Sequence, residues 1–224
     1  MRHTVLALAL ILLAACGRPL TPAETDLAAR MFGPSLDTAP VRFVENGFIG
    51  MRSHLYPTRP RTTCRERLLP PAQSTHERGR AAGLVLGTRI QVRPDVLRAD
   101  FARAEDGTMS LGQAMYLVHE LTHVWQWQNR ERTGYSLWRV GREHSQSDDP
   151  YLFDPEGEQS FLDYGYEQQA SLVEEYVCCQ ALDPEGARTG RLRALLSQVM
   201  EPGDLPDVAV SVPWAGVETR GICG

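Results

Sequence analysis

The sequence predicts an α+β fold, with a small mixed or antiparallel sheet packed on a long central helix and further helices following it. Three observations carry that expectation. From residue 110 onward, apolar side chains recur at helical spacing through Met115, Val118, Leu121 and Trp125. Residues 41–49 and 83–92 are apolar, β-branched runs bounded by glycine or proline. After residue 164 the spacing becomes helical again. With 224 residues and 42% hydrophobic content, the chain can bury the core of one domain, and 23% charged residues is not a disordered profile.

Taken in order, the first helix is expected over 21–32, with Thr21 as cap, Pro22 in the first position and Glu24 as the reciprocal capping partner; Gly33-Pro34 ends it. A strand over 41–49 is interrupted by a turn at Asn46-Gly47. Residues 52–80 are rich in Pro, Arg, Ser and Thr without an apolar period and read as a long loop. The run 83–92 reads as one strand, stopped by Pro94. Ser110 should cap the central helix with Gln113 as its partner, and Gly134 should end it. A polar loop over 142–160 precedes a helix over 164–182. Another helix runs from Asp183-Pro184 to about Met200, and residues 201–224 form an irregular tail. The chain contains no repeats.

The N-terminus, MRHTVLALALILLAAC, has a short basic start at Arg2 and an apolar stretch too short to span a bilayer, the anatomy of an export signal. Leu13-Ala14-Ala15-Cys16 resembles the lipobox of bacterial lipoproteins. That resemblance implies cleavage before Cys16, acylation of its thiol and amine, and stable membrane attachment through two or more acyl chains. Gly17 in place of aspartate points to the outer rather than the inner membrane. The expected organisation is a signal peptide at 1–15, a tether at 16–24, the folded domain at 25–200 and the tail at 201–224. The expected location is the cell envelope, on the periplasmic or outer side.

Four cysteines remain in that oxidising setting: Cys64, Cys178, Cys179 and Cys223. A bridge between the neighbours Cys178 and Cys179 is sterically poor, which leaves Cys64 and Cys223 each pairing with one of the two. A structural zinc site is disfavoured because no CxxC pair exists.

Charge excludes several function classes. The formal net charge is −5, which argues against a general nucleic-acid binder. All 23 basic residues are arginine, so Schiff-base chemistry, a catalytic lysine and a phosphate-loop lysine are excluded. Eleven arginines and four acids lie between Arg52 and Arg103, whereas 16 acids and four arginines lie between Glu105 and Glu185. The two regions are expected to neutralise each other in part across the surface.

The chemistry concentrates in His119-Glu120-Leu121-Thr122-His123. Histidines at i and i+4 share one helical face and can reach one Zn²⁺, while Glu120 can handle the proton of a metal-acidified water. At this composition the pattern arises by chance in about one chain in ninety. Candidates for a third ligand are His144, Asp163, Glu167, Glu174 and Glu175. Tyr166-Glu167-Gln168-Gln169-Ala170 resembles the ExxA form in which thermolysin-like enzymes supply a glutamate from a following helix, so Glu167 is the expected ligand. Glu174, on the same face, is expected to partner a histidine N–H or to serve as the fallback ligand. His144 lacks the metzincin spacing and reads as a loop histidine.

Residues 20–42, LTPAETDLAARMFGPSLDTAPVR, followed by HELTHVWQWQ and YEQQA, resemble the metallopeptidase domains of bacterial Vgr-related proteins, within a wider zincin-like group that shares HELTHVxQ. The resemblance covers about residues 20–180, and the 50–80 stretch diverges. It implies a zincin-like fold and a zinc site. The lipobox, the Cys178-Cys179 pair and the cysteine-bearing tail depart from it and suggest an exported version. The expected function is zinc-dependent hydrolysis of a peptide bond, with His119, His123 and Glu167 as ligands, Glu120 as general base and a peptide or protein of the cell envelope as substrate. The alternative is a catalytically weak or inactive module acting in envelope interaction. The strand before the central helix is expected to offer its edge to a peptide. Tyr164, Tyr166 and His144 are the candidate oxyanion donors, and nothing in the sequence selects among them.

Overall fold

Thr21 starts the first helix as its neighbours dictate. Its hydroxyl accepts the Glu24 N–H at 3.1 Å, and the Glu24 carboxylate accepts the Thr21 N–H at 2.8 Å. Pro22 follows in the first turn of helix α1 (Pro22–Phe32), and Leu27, Met31 and Phe32 turn inward. The computed structural model describes residues 17–224, so the expected signal peptide at 1–15 and Cys16 lie outside the described residues. Residues 17–24 are not a tether. Arg18–Pro19 form strand β1, and Arg18 makes a two-pronged ion pair with the buried Glu24 at 2.7 and 2.8 Å. Glu24 also accepts the Phe101 N–H at 2.9 Å, so this acid joins three segments.

The main sheet is mixed and four-stranded. Strand β2 (Arg42–Glu45) lies between β1, antiparallel to it, and β6 (Arg89–Val92), parallel to it; β5 (Gly83–Leu86) is the antiparallel outer strand. The expected single strand over 83–92 is therefore a hairpin, because Gly87 takes φ +65° and lets the chain reverse at Gly87-Thr88. Phe43, Val85, Ile90 and Val92 point from this sheet into the core.

The expected long loop over 52–80 is also corrected. Strand β3 (Ser53–Pro57) pairs antiparallel with β4 (His76–Arg80), and the short helix α2 (Cys64–Arg67) lies between them. Neither strand buries a face, so the sequence had no alternation to show.

Strand β7 (Met109–Ser110) leads into the central helix α3 (Leu111–Gln128), which ends earlier than expected and is followed by the single turn α4 (Arg130–Thr133). Ser110 sits at the N-cap without a side-chain cap bond, so the expected box with Gln113 does not form. Helix α5 (Leu137–Gln146) occupies the start of the expected loop at 142–160. Helix α6 (Tyr166–Leu182) packs along α3, and α7 (Ala187–Leu196) packs on α6. In the tail, β8 (Val210–Ser211) pairs parallel with β7. The described residues thus hold seven α-helices and three small sheets, an α+β architecture. None of these helices is long and apolar enough to cross a membrane.

The core lies where α3 meets α6 on one side and the sheet on the other. Leu117, Leu121, Val124, Trp125, Val173, Tyr176 and Val177 are fully buried there. Two cysteine pairs fasten this core to outlying segments. Cys64 pairs with Cys178 and Cys179 with Cys223, at Cα separations of 6.0 and 5.6 Å. Consecutive residues of α6 therefore hold α2 and the C-terminus.

Candidate metal centre

Helix α3 presents His119 and His123 one turn apart, and the first turn of α6 brings Glu167 against both. His119 Nε2, His123 Nε2 and Glu167 Oε2 lie 3.2 Å from one another on all three edges. All three residues are buried, and together they form a group able to hold a metal ion. Two imidazole nitrogens facing each other this closely need a cation or a proton between them.

Behind these three residues stand further side chains, of which those on His123 and Glu167 are hydrogen-bonded to them. Gln126 donates through its amide to the Tyr166 carbonyl and to Gln169 Oε1, both at 2.9 Å. Its Oε1 is left to accept from His123 Nδ1 at 2.9 Å, which leaves the Nε2 lone pair facing Glu167. Behind His119, Nδ1 contacts Glu174 Oε2 at 3.4 Å, and Arg65 Nη1 donates to the same oxygen at 2.7 Å. The second Glu167 oxygen accepts from His144 Nε2 at 2.8 Å. The neighbouring Glu143 accepts the N–H groups of Tyr166 and Glu167 at 2.9 and 3.1 Å, which pins the α6 N-terminus to α5.

Electrostatics follow from that crowding. Burial works against the His119 imidazolium, yet Glu174 and Glu167 outweigh it and push its pKa up to about 10. His123 is likewise raised against burial, chiefly by Glu167. The His144 imidazole is raised by its hydrogen bond to Glu167. Burial also works against the Glu167 carboxylate, but His123, His119 and His144 hold it well below the usual range. Glu120 behaves oppositely: burial lifts it above the ordinary carboxylate value even beside two histidines.

Glu120 lies where β5 passes over α3. A Cβ on Gly83 would strike the Tyr116 hydroxyl and sit 2.8 Å from Glu120 Oε1, so a side chain here would have to push those groups aside. The Tyr151 ring packs on His119 at 5.8 Å and on His144 at 5.9 Å between centroids.

Of the sequence candidates, His119, His123, Glu167 and Glu174 converge, with Glu174 behind His119. His144 joins them from a helix, not a loop. Asp163 is exposed in a turn at 161–163. Glu175 faces away from the cluster and accepts the Cys64 N–H at 2.9 Å and Arg188 at 3.1 Å. The Tyr166 hydroxyl is turned to the Thr133 carbonyl at 3.4 Å, and Tyr164 uses its carbonyl to hold Gln169. Sequence reasoning missed Gln126, Arg65, Glu143 and Tyr151. Gln126 stands three residues after His123 and could have been found by helical spacing; the others reach the site only through tertiary packing.

The whole fold is similar to that of the effector domain of Pseudomonas aeruginosa VgrG2b. The TM-score is 0.54, the sequence identity 22%, and the alignment covers 84% of this chain and 86% of that one. No protein-family model and no curated protein matches the chain. The structural neighbour is thus of the Vgr-related kind that the sequence resembles, and at this identity the likeness concerns the fold.

Proposed function

We propose that the protein is a zinc-dependent, zincin-like metallopeptidase, lipid-anchored at Cys16 on the envelope side of a bacterial membrane. The observation that carries this reading is the triangle of His119 Nε2, His123 Nε2 and Glu167 Oε2 with edges of 3.2 Å. Tetrahedral ligands at zinc–nitrogen and zinc–oxygen distances of 2.0–2.1 Å stand about 3.3 Å apart, so the donor set and its spacing fit that ion. Zinc held there would supply Lewis acidity and an acidified water.

The chain's own residues do the rest. Glu120, lifted by burial, accepts a proton at its carboxylate and returns it to the departing amine nitrogen. Gln126 holds the His123 imidazole in register, and the Glu174 carboxylate stands beside His119 Nδ1. Tyr151 flanks the cluster as a donor for a developing oxyanion, while His144 Nε2 is engaged with Glu167. Strand β5 is the outer strand of the sheet beside Glu120, and an extended peptide can pair with it.

A module without activity, serving only in envelope interaction, would need the ligands but not a buried general base over which Gly83 is kept free of a side chain. The test compares purified wild type, His123→Ala and Glu120→Gln. Wild type should carry zinc and cleave peptides from an envelope extract. His123→Ala should lose zinc, and Glu120→Gln should keep zinc while cleavage falls by about 10²–10⁴-fold. Zinc-free wild type defeats the metal reading, and full cleavage by Glu120→Gln defeats the role of the base.

A further inference from the structure

Gly17, the residue after Cys16 in the chain, and one apolar turn lie at the same end of the sheet. Strand β1 runs antiparallel to β2 with Arg18 opposite Phe43 and Pro19 opposite Arg42, so the backbone before Arg18 advances along β2 toward Glu45. Gly17 is pressed on that strand: a Cβ there would strike the Phe43 carbonyl oxygen and lie 2.8 Å from Val44 Cγ2. Cys16 is bonded directly to Gly17, and one residue spans at most about 3.6 Å. An acylated Cys16 would therefore tether this end of the body to the bilayer through a single residue.

The turn that follows β2 lies at that end. Its Asn46 N–H is bonded to the Val92 carbonyl at 2.8 Å, and Asn46 Oδ1 accepts the Phe48 N–H at 2.9 Å. Gly50 packs on Ala81 and Arg93. The turn is thus tied to the sheet, yet it holds Phe48 82% and Met51 73% exposed; Leu55, on the adjoining β3, is 64% exposed. Large apolar side chains held this exposed within one short stretch of chain mark a surface that meets an apolar phase. Arg52 and Arg78 stand exposed beside them, and Arg52 has no ion pair among the described residues. Guanidinium groups match lipid phosphates.

We propose that this end of the molecule docks on the bilayer that holds the Cys16 acyl chains, with Phe48 and Met51 inserted at the headgroup–acyl boundary and Arg52 and Arg78 on lipid phosphates. The proposal rests on the lipid-anchor reading of Cys16. It gives the protein a fixed orientation and not a loose leash. Gly83, which abuts Glu120, pairs with Val92 at the same end of the sheet, so docking also holds the candidate centre toward the membrane.

The test uses the full chain, processed in bacteria and reconstituted in vesicles of phosphatidylethanolamine and phosphatidylglycerol, with or without brominated acyl chains. Phe48→Trp is compared with Leu86→Trp, an exposed position at the other end of β5, after subtraction of the parent emission. Mass spectrometry of the Cys16 peptide reads acylation in the same samples. Acylated protein should show emission from Phe48→Trp quenched by about half, as for a ring sunk about 5–10 Å into the boundary, with Leu86→Trp unchanged. Acylated protein with no quenching at 48, or equal quenching at both positions, overturns the docking and leaves the anchor standing. That outcome covers a patch that meets a protein partner or a second copy instead. An unmodified Cys16 overturns both.

Discussion

Gly83 and Glu120 show how much chemistry a single side chain can decide. A methyl group at residue 83 would strike the Tyr116 hydroxyl, meet Glu120 Oε1 at 2.8 Å and push both groups aside. Gly83→Ala should therefore keep its zinc and lower kcat by about tenfold or more, since a displacement on the order of 1 Å can cost about 10²-fold; unchanged kcat would show that Glu120 is not positioned from β5. His119 supplies a prediction about pH. Its pKa in the metal-free protein is raised to about 10, so near neutrality the imidazole is protonated. Zinc needs it neutral, so binding releases that proton and affinity should rise with pH, by about tenfold per unit between about pH 6 and 8. Chelator competition across that range measures it, and a flat profile would remove His119 from the ligand set. At this scale the sequence was most legible: His119, Glu120 and His123 follow from helical spacing alone. Arg65 and Glu143 could not be read, because what they do depends on contacts 109 and 24 residues away.

Helix α2 is only four residues long, yet three interactions fix it against α6: the Cys64–Cys178 bridge, Glu175 on the Cys64 N–H, and Arg65 on Glu174. Arg65 thus steadies the carboxylate behind His119. Arg65→Gln is expected to weaken zinc binding by about 10–100-fold, the usual cost of losing a partner behind a ligand, with Arg65→Lys recovering part of it. Equal zinc affinity in Arg65→Gln and wild type, measured by competition with a chromogenic chelator, would assign this contact to stability alone. The elements not expected from the sequence, β3, β4 and α5, bury no complete face, and α5 buries no residue at all. Hydrophobic period is the signal that marks an element in a sequence; the solvated strands β3 and β4 have none, whereas α5 is amphipathic and its period was there to be read. Helix α5 nevertheless carries Glu143 and His144 to the site.

Across the whole molecule, the arginine-rich and acid-rich regions meet as ion pairs. Arg59 forks onto Asp149, and its guanidinium stacks on Tyr151 at 5.2 Å; Arg65 reaches Glu174. The net charge of −5 conceals this pairing. Because the metal group joins α3 to α6, the two helices that build the core, occupancy should stabilise the entire fold. At a free zinc concentration 100 times Kd the gain is about 2.7 kcal/mol, or roughly 5–10 °C in Tm for a chain of this size. Calorimetry with and without chelator measures it, and identical melting curves would mean that zinc does not bind the folded state.

By itself the sequence determined the α+β class, the placing of His119, Glu120 and His123 along one helix, and the exclusion of a Cys178–Cys179 bridge. Each is a local matter: helical spacing, capping chemistry or the geometry of adjacent residues. Only the tertiary structure decided that Cys64 takes Cys178 while Cys223 takes Cys179, that residues 83–92 fold back as a hairpin over Glu120, and that residues 17–24 are bound into the body. Those outcomes depend on which surfaces meet once the core has closed, and contacts between residues far apart in the chain leave no period or spacing in it.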